Sequence, residues 1–127
     1  MKVLVTGSTG FIGGALVQRL CADGVPVRGL ARRPDRAQRL AEWGADVAHG
    51  DLTDAASLRS AMVGCTHVVH AAAWVGTGGE PAAIHAVNVG GTAALVAAAR
   101  EAQITRLVHI SSTGVYGSPR AHGVHED

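Results

Sequence analysis

Three glycines near the amino terminus have the spacing of a phosphate-binding loop. Gly7, Gly10 and Gly13 form a GxxGxxG pattern between a short apolar run and a stretch with helical spacing. Gly7 permits a tight turn, Gly10 lets the backbone approach a pyrophosphate, and Gly13 lets the helix pack against the strand. The backbone N–H groups of Phe11 and Ile12 would face the phosphates at the helix amino terminus, where the helix dipole favours negative charge. The loop therefore predicts a dinucleotide-binding site, with a purely structural turn as the alternative.

The residues after the second predicted strand indicate which dinucleotide is expected. An NAD site usually has an Asp or Glu at this point, about 20 residues beyond the loop, where it accepts a hydrogen bond from the ribose 2′-hydroxyl. This chain has Ala31, followed by Arg32 and Arg33. A guanidinium can pair with a 2′-phosphate through two hydrogen bonds, whereas a carboxylate would repel it. We therefore expect NADP to be preferred and NAD to be the alternative, unless the two arginines only begin a solvated helix.

Apolar runs and helical spacing alternate along the chain and predict the elements that position this loop. Buried strands are expected at residues 3–5, 26–30, 46–49, 67–71 and 106–111. Helices are expected to begin near Phe11, Pro34, Asp54 and Pro81, and the last is long, with one apolar face over residues 82–103. Alternating strands and helices favour a parallel sheet with right-handed crossovers. The sequence thus predicts one α/β domain over residues 1–127.

Length and composition limit the classes of protein and of partner. The 127 residues suffice for one domain, and 47% hydrophobic with only 3% aromatic residues predicts an aliphatic core. A net charge of +1 without a basic stripe argues against nucleic-acid binding, and no apolar run is expected to reach the roughly 20 residues that span a bilayer. Cys21 and Cys65 are too few for a disulfide framework and are expected as reduced core thiols of a cytoplasmic protein. His122 and His125 have no third ligand in view, so no metal site is expected.

Five motifs follow one another along the chain in a recognisable order. They are the glycine loop at residues 7–13, Asp51-Leu52, His70-Ala71-Ala72, the Asn-Val-Gly-Gly-Thr run at 88–92 and the Ser-Ser-Thr-Gly-Val-Tyr-Gly run at 111–117. With these motifs the chain resembles the extended short-chain dehydrogenase/reductases and, more narrowly, the NAD(P)-dependent epimerase/dehydratase family. The resemblance covers the whole chain. It implies a Rossmann-type doubly wound parallel sheet of which five strands are present, so that the fold is incomplete relative to the family.

The resemblance also implies roles for matching positions around the cofactor. Asp51 and Leu52 would contact the adenine, and Asp51 would accept a hydrogen bond from its amino group. Ala71 and Ala72 would line the cofactor at the end of the fourth strand, where small side chains leave room for it. Asn88 would belong to the same site by tying the long helix to the fourth strand. For the run at residues 88–92, helix packing alone is the alternative.

The resemblance implies that Ser112 hydrogen-bonds the reacting hydroxyl or carbonyl of a small-molecule substrate, a task that suits a hydroxyl because it can donate or accept. A capping hydroxyl at a strand end is the alternative.

The family also uses a Tyr-x-x-x-Lys pair for proton transfer during hydride transfer. Lys2 and Tyr116 are the only Lys and Tyr, and Arg120 does not replace the lysine, because Pro119 interrupts a helix and an arginine is a poor proton relay. His70 is interpreted as a strand end rather than as a base.

These observations favour the amino-terminal, cofactor-binding portion of an enzyme of roughly 300 residues. The expected reaction is hydride transfer on a sugar nucleotide or another hydroxyl or carbonyl substrate, as an epimerase, dehydratase or reductase. The long helix is expected to form a homodimer interface in the full-length protein, and the fifth strand would be an exposed apolar edge. A non-catalytic NAD(P)-sensing domain is one alternative, and a structural domain that binds nothing is the other.

Overall fold

Five short apolar segments pair into one parallel sheet in the part of the chain described by the computed structural model, residues 1–76 and 78–117. The strands are β1 (Val3–Thr6), β2 (Val27–Ala31), β3 (Asp46–His49), β4 (His67–His70) and β5 (Arg106–His109). Their order across the sheet is β3-β2-β1-β4-β5, and every neighbouring pair is parallel. This is the Rossmann strand order, and it confirms the predicted fold class.

The helices begin and end at the residue types that the sequence offered for these positions. They are α1 (Phe11–Ala22), α2 (Pro34–Glu42), α3 (Ala55–Met62) and a long helix, Pro81–Glu101. Pro34 and Pro81 occupy the first turn of their helices, where the missing N–H has no helical acceptor to lose. The Asp54 side chain caps α3 by accepting from two backbone N–H groups. Gly24 and Gly44 follow α1 and α2 with positive φ angles of 75° and 88°, a conformation that favours glycine.

The long helix is not a regular α-helix, which the spacing did not predict. It consists of α-helical turns at Pro81–His85 and Thr92–Glu101 with a π-helical stretch, Ala86–Gly91, between them. By length and apolar composition this helix could cross a membrane. The expectation that no apolar run comes close to this length was therefore wrong. Core helices of soluble proteins can be equally long and apolar, and Leu95 of this helix is buried in the core.

Both faces of the sheet are buried, because successive residues of β1 point to opposite sides. Leu4 packs into a cluster with the long helix and α3, whereas Val3 and Val5 pack into a second cluster with α1 and α2. Both clusters are dominated by aliphatic side chains, as predicted from the scarcity of aromatic residues. Cys65 is buried and Cys21 only half-buried, so one of the two thiols lies outside the fully buried core, and burial raises the pKa of both.

Strands β4 and β5 end earlier than predicted, at His70 and His109. The residues that follow leave the sheet at its carboxyl edge and form part of the site described below. Among the described residues β5 pairs with β4 alone, so it is an edge strand. Val108 and Ile110 are 44% and 38% exposed there, as expected for an uncovered apolar edge.

Candidate cofactor-binding site

A cavity of about 470 Å³ opens at the carboxyl ends of β1, β2 and β4. It lies where the chain order reverses between β1 and β4, the point at which open α/β sheets bind ligands. Eight of the twelve residues predicted to bind the cofactor line this cavity: Gly7, Gly10, Arg32, Arg33, Asp51, Leu52, Ala71 and Ala72. The other four, Phe11, Ile12, Gly13 and Asn88, lie outside its lining.

The glycine loop brings three backbone segments closer together than side chains would allow. Gly7 has a φ of 67°, and a Cβ there would lie 2.6 Å from the carbonyl carbon and oxygen of Ala71. A Cβ on Gly13 would overlap the Gly7 carbonyl group, lying 2.6 Å from its carbon. Gly7 therefore makes the turn and lets β1 and β4 meet closely, while Gly13 lets α1 sit against the loop.

The amino terminus of α1 is open towards the loop. Gly10 precedes the helix and offers no side chain to cap it, so the first backbone N–H groups of α1 have no side-chain acceptor from that position. Phe11 and Ile12 are 95% and 53% exposed. These two residues can therefore contribute to an anion site through their backbone N–H groups, with the side chains directed away.

Arg32, just beyond the end of β2, and Asp51, just beyond the end of β3, lie side by side. Their nearest charged atoms, Nη1 and Oδ2, are 3.7 Å apart, and the Asp51 carboxylate also accepts from the backbone N–H and hydroxyl of Thr53 at 2.9 Å each. Partial burial acts to raise the pKa of the Asp51 carboxyl, but the Thr53 hydrogen bonds and the nearby Arg32 outweigh it and lower the pKa. Asp51 is thus held ionised beside an arginine at the wall of the cavity.

Two further arginines line the same end of the cavity. The guanidinium of Arg33 donates to both carboxylate oxygens of Asp35, at 3.2 and 3.0 Å. Arg36, in the first turn of α2, also lines the cavity. It was not predicted from the sequence to be a site residue. Its spacing of three residues from Arg33 across a helix start was the available signal, because residues three apart lie on one helix face.

The segment after β4 forms the opposite wall and is held by Asn88. The Asn88 side chain accepts from the Trp74 backbone N–H at 2.7 Å and donates to the Trp74 carbonyl at 3.1 Å. Ala71, Ala72 and Trp74 line the cavity, whereas Asn88 contacts the wall from behind. The structure thus places Asn88 as a support of the site rather than in its lining.

Ser112 precedes a single 3₁₀ turn, Thr113–Tyr116, beyond β5. Its hydroxyl oxygen accepts from the Gly114 backbone N–H at 3.1 Å. The residue therefore caps the turn, and because it acts there as an acceptor its own proton remains able to bond a substrate oxygen. Arg120, His122 and His125 lie outside the described residues, and within residues 1–76 and 78–117 no cluster of His, Cys, Asp and Glu could hold a metal.

A sequence model of the NAD dependent epimerase/dehydratase family matches residues 3–127. The chain belongs to this family. The predicted resemblance is therefore confirmed, and the glycine loop, the crevice between β1 and β4 and the strand order are the family's fold in its amino-terminal portion.

Individual relatives of this family member span both reductases and epimerases. A 4-hydroxy-2-methyl-3-oxo-4-farnesyl-3,4-dihydroquinoline-1-oxide ketoreductase of Stigmatella aurantiaca is 38% identical over 94% of this chain and 36% of its own length. A short-chain dehydrogenase/reductase superfamily protein of Agrobacterium tumefaciens, solved with bound NAD, is 36% identical with a TM-score of 0.85, covering 100% of this chain and 38% of its own. The UDP-glucose 4-epimerase of Thermus thermophilus, in complex with NAD, is 32% identical with a TM-score of 0.86, over 99% of this chain and 43% of its own. The chain thus spans about two-fifths of the length of these relatives.

The site fits the dinucleotide that this family binds. A cavity of about 470 Å³ lies within the range of small-molecule sites. The open amino terminus of α1 offers N–H donors. A side chain at Gly7 would overlap the Ala71 carbonyl group, so only glycine lets the loop lie this close to the segment after β4. The arginines add positive charge where the 2′ position of the adenosine ribose is expected.

Proposed function

We propose that the chain binds NADP(H) in this cavity as the cofactor-binding portion of an epimerase, dehydratase or reductase. Its substrate would be a sugar nucleotide or another small molecule with a hydroxyl or carbonyl group. The observation that carries the proposal is the glycine loop opening onto the cavity beside Arg32, with no carboxylate at Ala31. Relatives that bind NAD support a dinucleotide in general, whereas the preference for NADP rests on these two residues.

Each end of the cavity suits a different part of the dinucleotide. The backbone N–H groups at the start of α1 suit the pyrophosphate, because they point outward at the positive end of a helix dipole. Arg32 suits the 2′-phosphate because its side chain is 70% exposed and its partner Asp51 is 3.7 Å away, so that the guanidinium can turn towards a better acceptor. Ala71 and Ala72 suit the nicotinamide half because they are small.

The dinucleotide, when bound, supplies or accepts the hydride. Of this chain's residues, Ser112 is proposed to orient the substrate by donating a hydrogen bond to its carbonyl oxygen or accepting one from its hydroxyl. The 127 residues contain no Tyr-x-x-x-Lys pair. We therefore expect this chain to bind the dinucleotide without turning substrate over.

Fluorescence titration of the 127-residue chain with NADPH and with NADH tests the proposal. The wild-type chain is expected to bind NADPH more tightly. Arg32→Ala is expected to weaken NADPH about 10- to 100-fold, because a charge-assisted pair is lost, and to leave NADH nearly unchanged. Arg19→Ala is the matched control, since this arginine pairs with Asp23 at the far end of α1. Equal affinities of the wild type for NADPH and NADH, or an Arg32→Ala variant that binds NADPH normally, would refute the NADP preference. The dinucleotide site itself would be refuted if the wild type bound neither dinucleotide at millimolar concentration.

We also propose that the full-length protein is a homodimer that pairs through the long helix. The outward face of this helix is apolar, and Val89 and Val96 are 54% and 40% exposed on it. A double Val89→Glu, Val96→Glu variant of the full-length protein should then sediment as a monomer at concentrations where the wild type is a dimer. An unchanged sedimentation profile would contradict this interface. A cytoplasmic location stays a prediction from the cysteine content.

A further inference from the structure

A fully buried histidine links β1, the strand that precedes the glycine loop, to the long helix. His70, the last residue of β4, is 1% exposed. Its Nδ1 lies 2.6 Å from the hydroxyl of Thr6 at the end of β1, and its Nε2 lies 2.9 Å from the hydroxyl of Thr92 in the long helix. The ring therefore bridges two elements that are far apart in sequence, directly beneath the cavity that Thr6 lines.

The hydrogen bonds determine which ring nitrogen carries the proton. The Thr92 hydroxyl donates to the Asn88 carbonyl at 2.7 Å. A hydroxyl has one proton to donate, so Thr92 must accept from His70 Nε2–H, and Nδ1 must accept from the Thr6 hydroxyl. Burial and the ring of His109, 5.0 Å away, lower the pKa of His70 to about 4, so that the ring is neutral near pH 7. The donor and the acceptor of every hydrogen bond in this series, from Thr6 through His70 and Thr92 to the Asn88 carbonyl, are thus determined.

The same series of bonds ends in the π-helical stretch Ala86–Gly91. A threonine hydroxyl that bonds the carbonyl of the preceding turn is a recognised cause of local helix distortion. Here the distorted turn contains Asn88, whose side chain makes two hydrogen bonds to the Trp74 backbone. Gly91 permits the turn to lie close to the Asp51-Leu52 segment, because a Cβ there would be 2.7 Å from the Leu52 side chain.

We infer that His70 and Thr92 are positioning residues for the cofactor site. By holding the π-helical turn they aim Asn88 at Trp74, and Asn88 in turn holds residues 71–74 as one wall of the cavity. The inference rests on the proposed function only in taking the cavity as the dinucleotide site. The order of residues 71–74 in the free chain can be measured without any ligand.

Trp74 is itself a reporter of this wall. The chain has two tryptophans, so Trp43→Phe leaves Trp74 as the only one, and acrylamide quenching of its fluorescence then measures its accessibility. Trp74 is 39% exposed, so releasing the wall is expected to raise the quenching constant by about twofold. In this background Thr92→Val removes the hydroxyl at constant shape and should produce that increase, while Thr92→Ser, which keeps the hydroxyl, should restore the wild-type value.

Thr66→Val is the matched control. The Thr66 hydroxyl bonds Lys2 N–H and His67 at the amino ends of β1 and β4, the end of the sheet opposite the cavity, so its loss should leave Trp74 quenching unchanged. Thr92→Val should also weaken NADPH by a factor of about 2–10, the value of a hydrogen bond or so, with Thr92→Ser again restoring the affinity. Circular dichroism confirms that each variant is folded.

Several results would overturn the inference. One is wild-type Trp74 quenching in a folded Thr92→Val variant, and others are failure of Thr92→Ser to restore the value or an equal change in Thr66→Val. Should Thr92→Val not fold, ¹⁵N NMR of the wild-type histidine rings decides, since His70 must be neutral with the proton on Nε2 at pH 7 and a proton on Nδ1 would refute the series. Absence of dinucleotide binding by the wild type would refute the proposed function, while the quenching result would still stand on its own.

Discussion

Replacing Gly13 by alanine should destabilise the chain, whereas the same change at its neighbour Gly14 should not. Both residues are buried in α1. A Cβ on Gly13 would overlap the Gly7 carbonyl, but a Cβ on Gly14 would lie 3.4 Å from the Ser8 carbonyl oxygen and 3.8 Å from the Trp43 ring, which is ordinary contact. The two variants therefore share the gain in helix propensity and differ in the overlap alone.

The magnitude follows from these two terms. Glycine to alanine within a helix contributes about 1 kcal/mol of stability. Overpacking a close backbone contact costs about 1–3 kcal/mol, occasionally more, and the Gly7 carbonyl cannot move freely because it also accepts from Gly10 N–H at 2.9 Å. The cost of the overlap should therefore be near or above about 3 kcal/mol, the upper end of that range. After subtraction of the gain in helix propensity, Gly13→Ala should lower the free energy of unfolding by about 2 kcal/mol, or the Tm by about 8 °C for a chain of this length. Gly14→Ala should gain about 0.5–1 kcal/mol.

Urea denaturation followed by circular dichroism measures both changes, provided that the slope with denaturant stays constant between variants. Gly13→Ala should also weaken NADPH, because the amino terminus of α1 must move away from the loop. A Gly13→Ala chain as stable as Gly14→Ala would show that the loop adapts cheaply. The close approach would then not be the reason for glycine at this position.

Two further predictions concern stability. Arg28→Met should lower the free energy of unfolding by about 1.5–3 kcal/mol, because this guanidinium donates at 2.8 and 2.7 Å to two carbonyls at the carboxyl end of α3. The control Arg19→Met removes only an exposed ion pair and should change it by less than about 0.5 kcal/mol. Urea denaturation measures both changes. The pKa of His70 is about 4 when folded and 6.5 when unfolded, so the unfolded chain binds more protons between these values, and stability should fall by about 3 kcal/mol as the pH drops from 6.5 to 4. His70→Gln should flatten this part of the stability–pH curve, and an unchanged slope would assign it to other groups.

The fold could be predicted from the sequence because its requirements are local. Pro34 and Pro81 start helices and Asp54 caps one, for reasons that involve only the neighbouring residues. The positive φ of Gly7 is likewise a property of one turn. The strand order follows once such units alternate, because few topologies satisfy short right-handed crossovers.

The support that His70 gives to the site could not be predicted from the sequence, because it joins residues that are distant in sequence. His70 was interpreted as a strand end, which is its place in β4, but its bonds to Thr6 and Thr92 need the pairing of β1 with β4 and the register of the long helix. The resemblance implied that Asn88 ties the long helix to the fourth strand, and its side chain does bond the Trp74 backbone, four residues beyond the end of β4, from outside the cavity lining. The π-helical stretch Ala86–Gly91 has no spacing signal either, because its apolar residues continue the pattern of the α-helical turns on both sides of it.

The pair formed by Arg32 and Asp51 should make the proposed preference for NADP sensitive to salt. At 3.7 Å and with the arginine 70% exposed, the pair contributes at most about 1 kcal/mol, so Arg32 can leave Asp51 for a 2′-phosphate at little cost. The extra contact to NADPH is then ionic and accessible to solvent, whereas the pyrophosphate contact is common to both dinucleotides. Raising the salt concentration from about 0.05 to about 0.5 M should therefore reduce the ratio of NADPH to NADH affinity, because screening shortens the reach of exposed charges. Fluorescence titration at the two concentrations measures the ratio, and a ratio that does not change would mean that the preference depends on shape or on a buried contact rather than on Arg32.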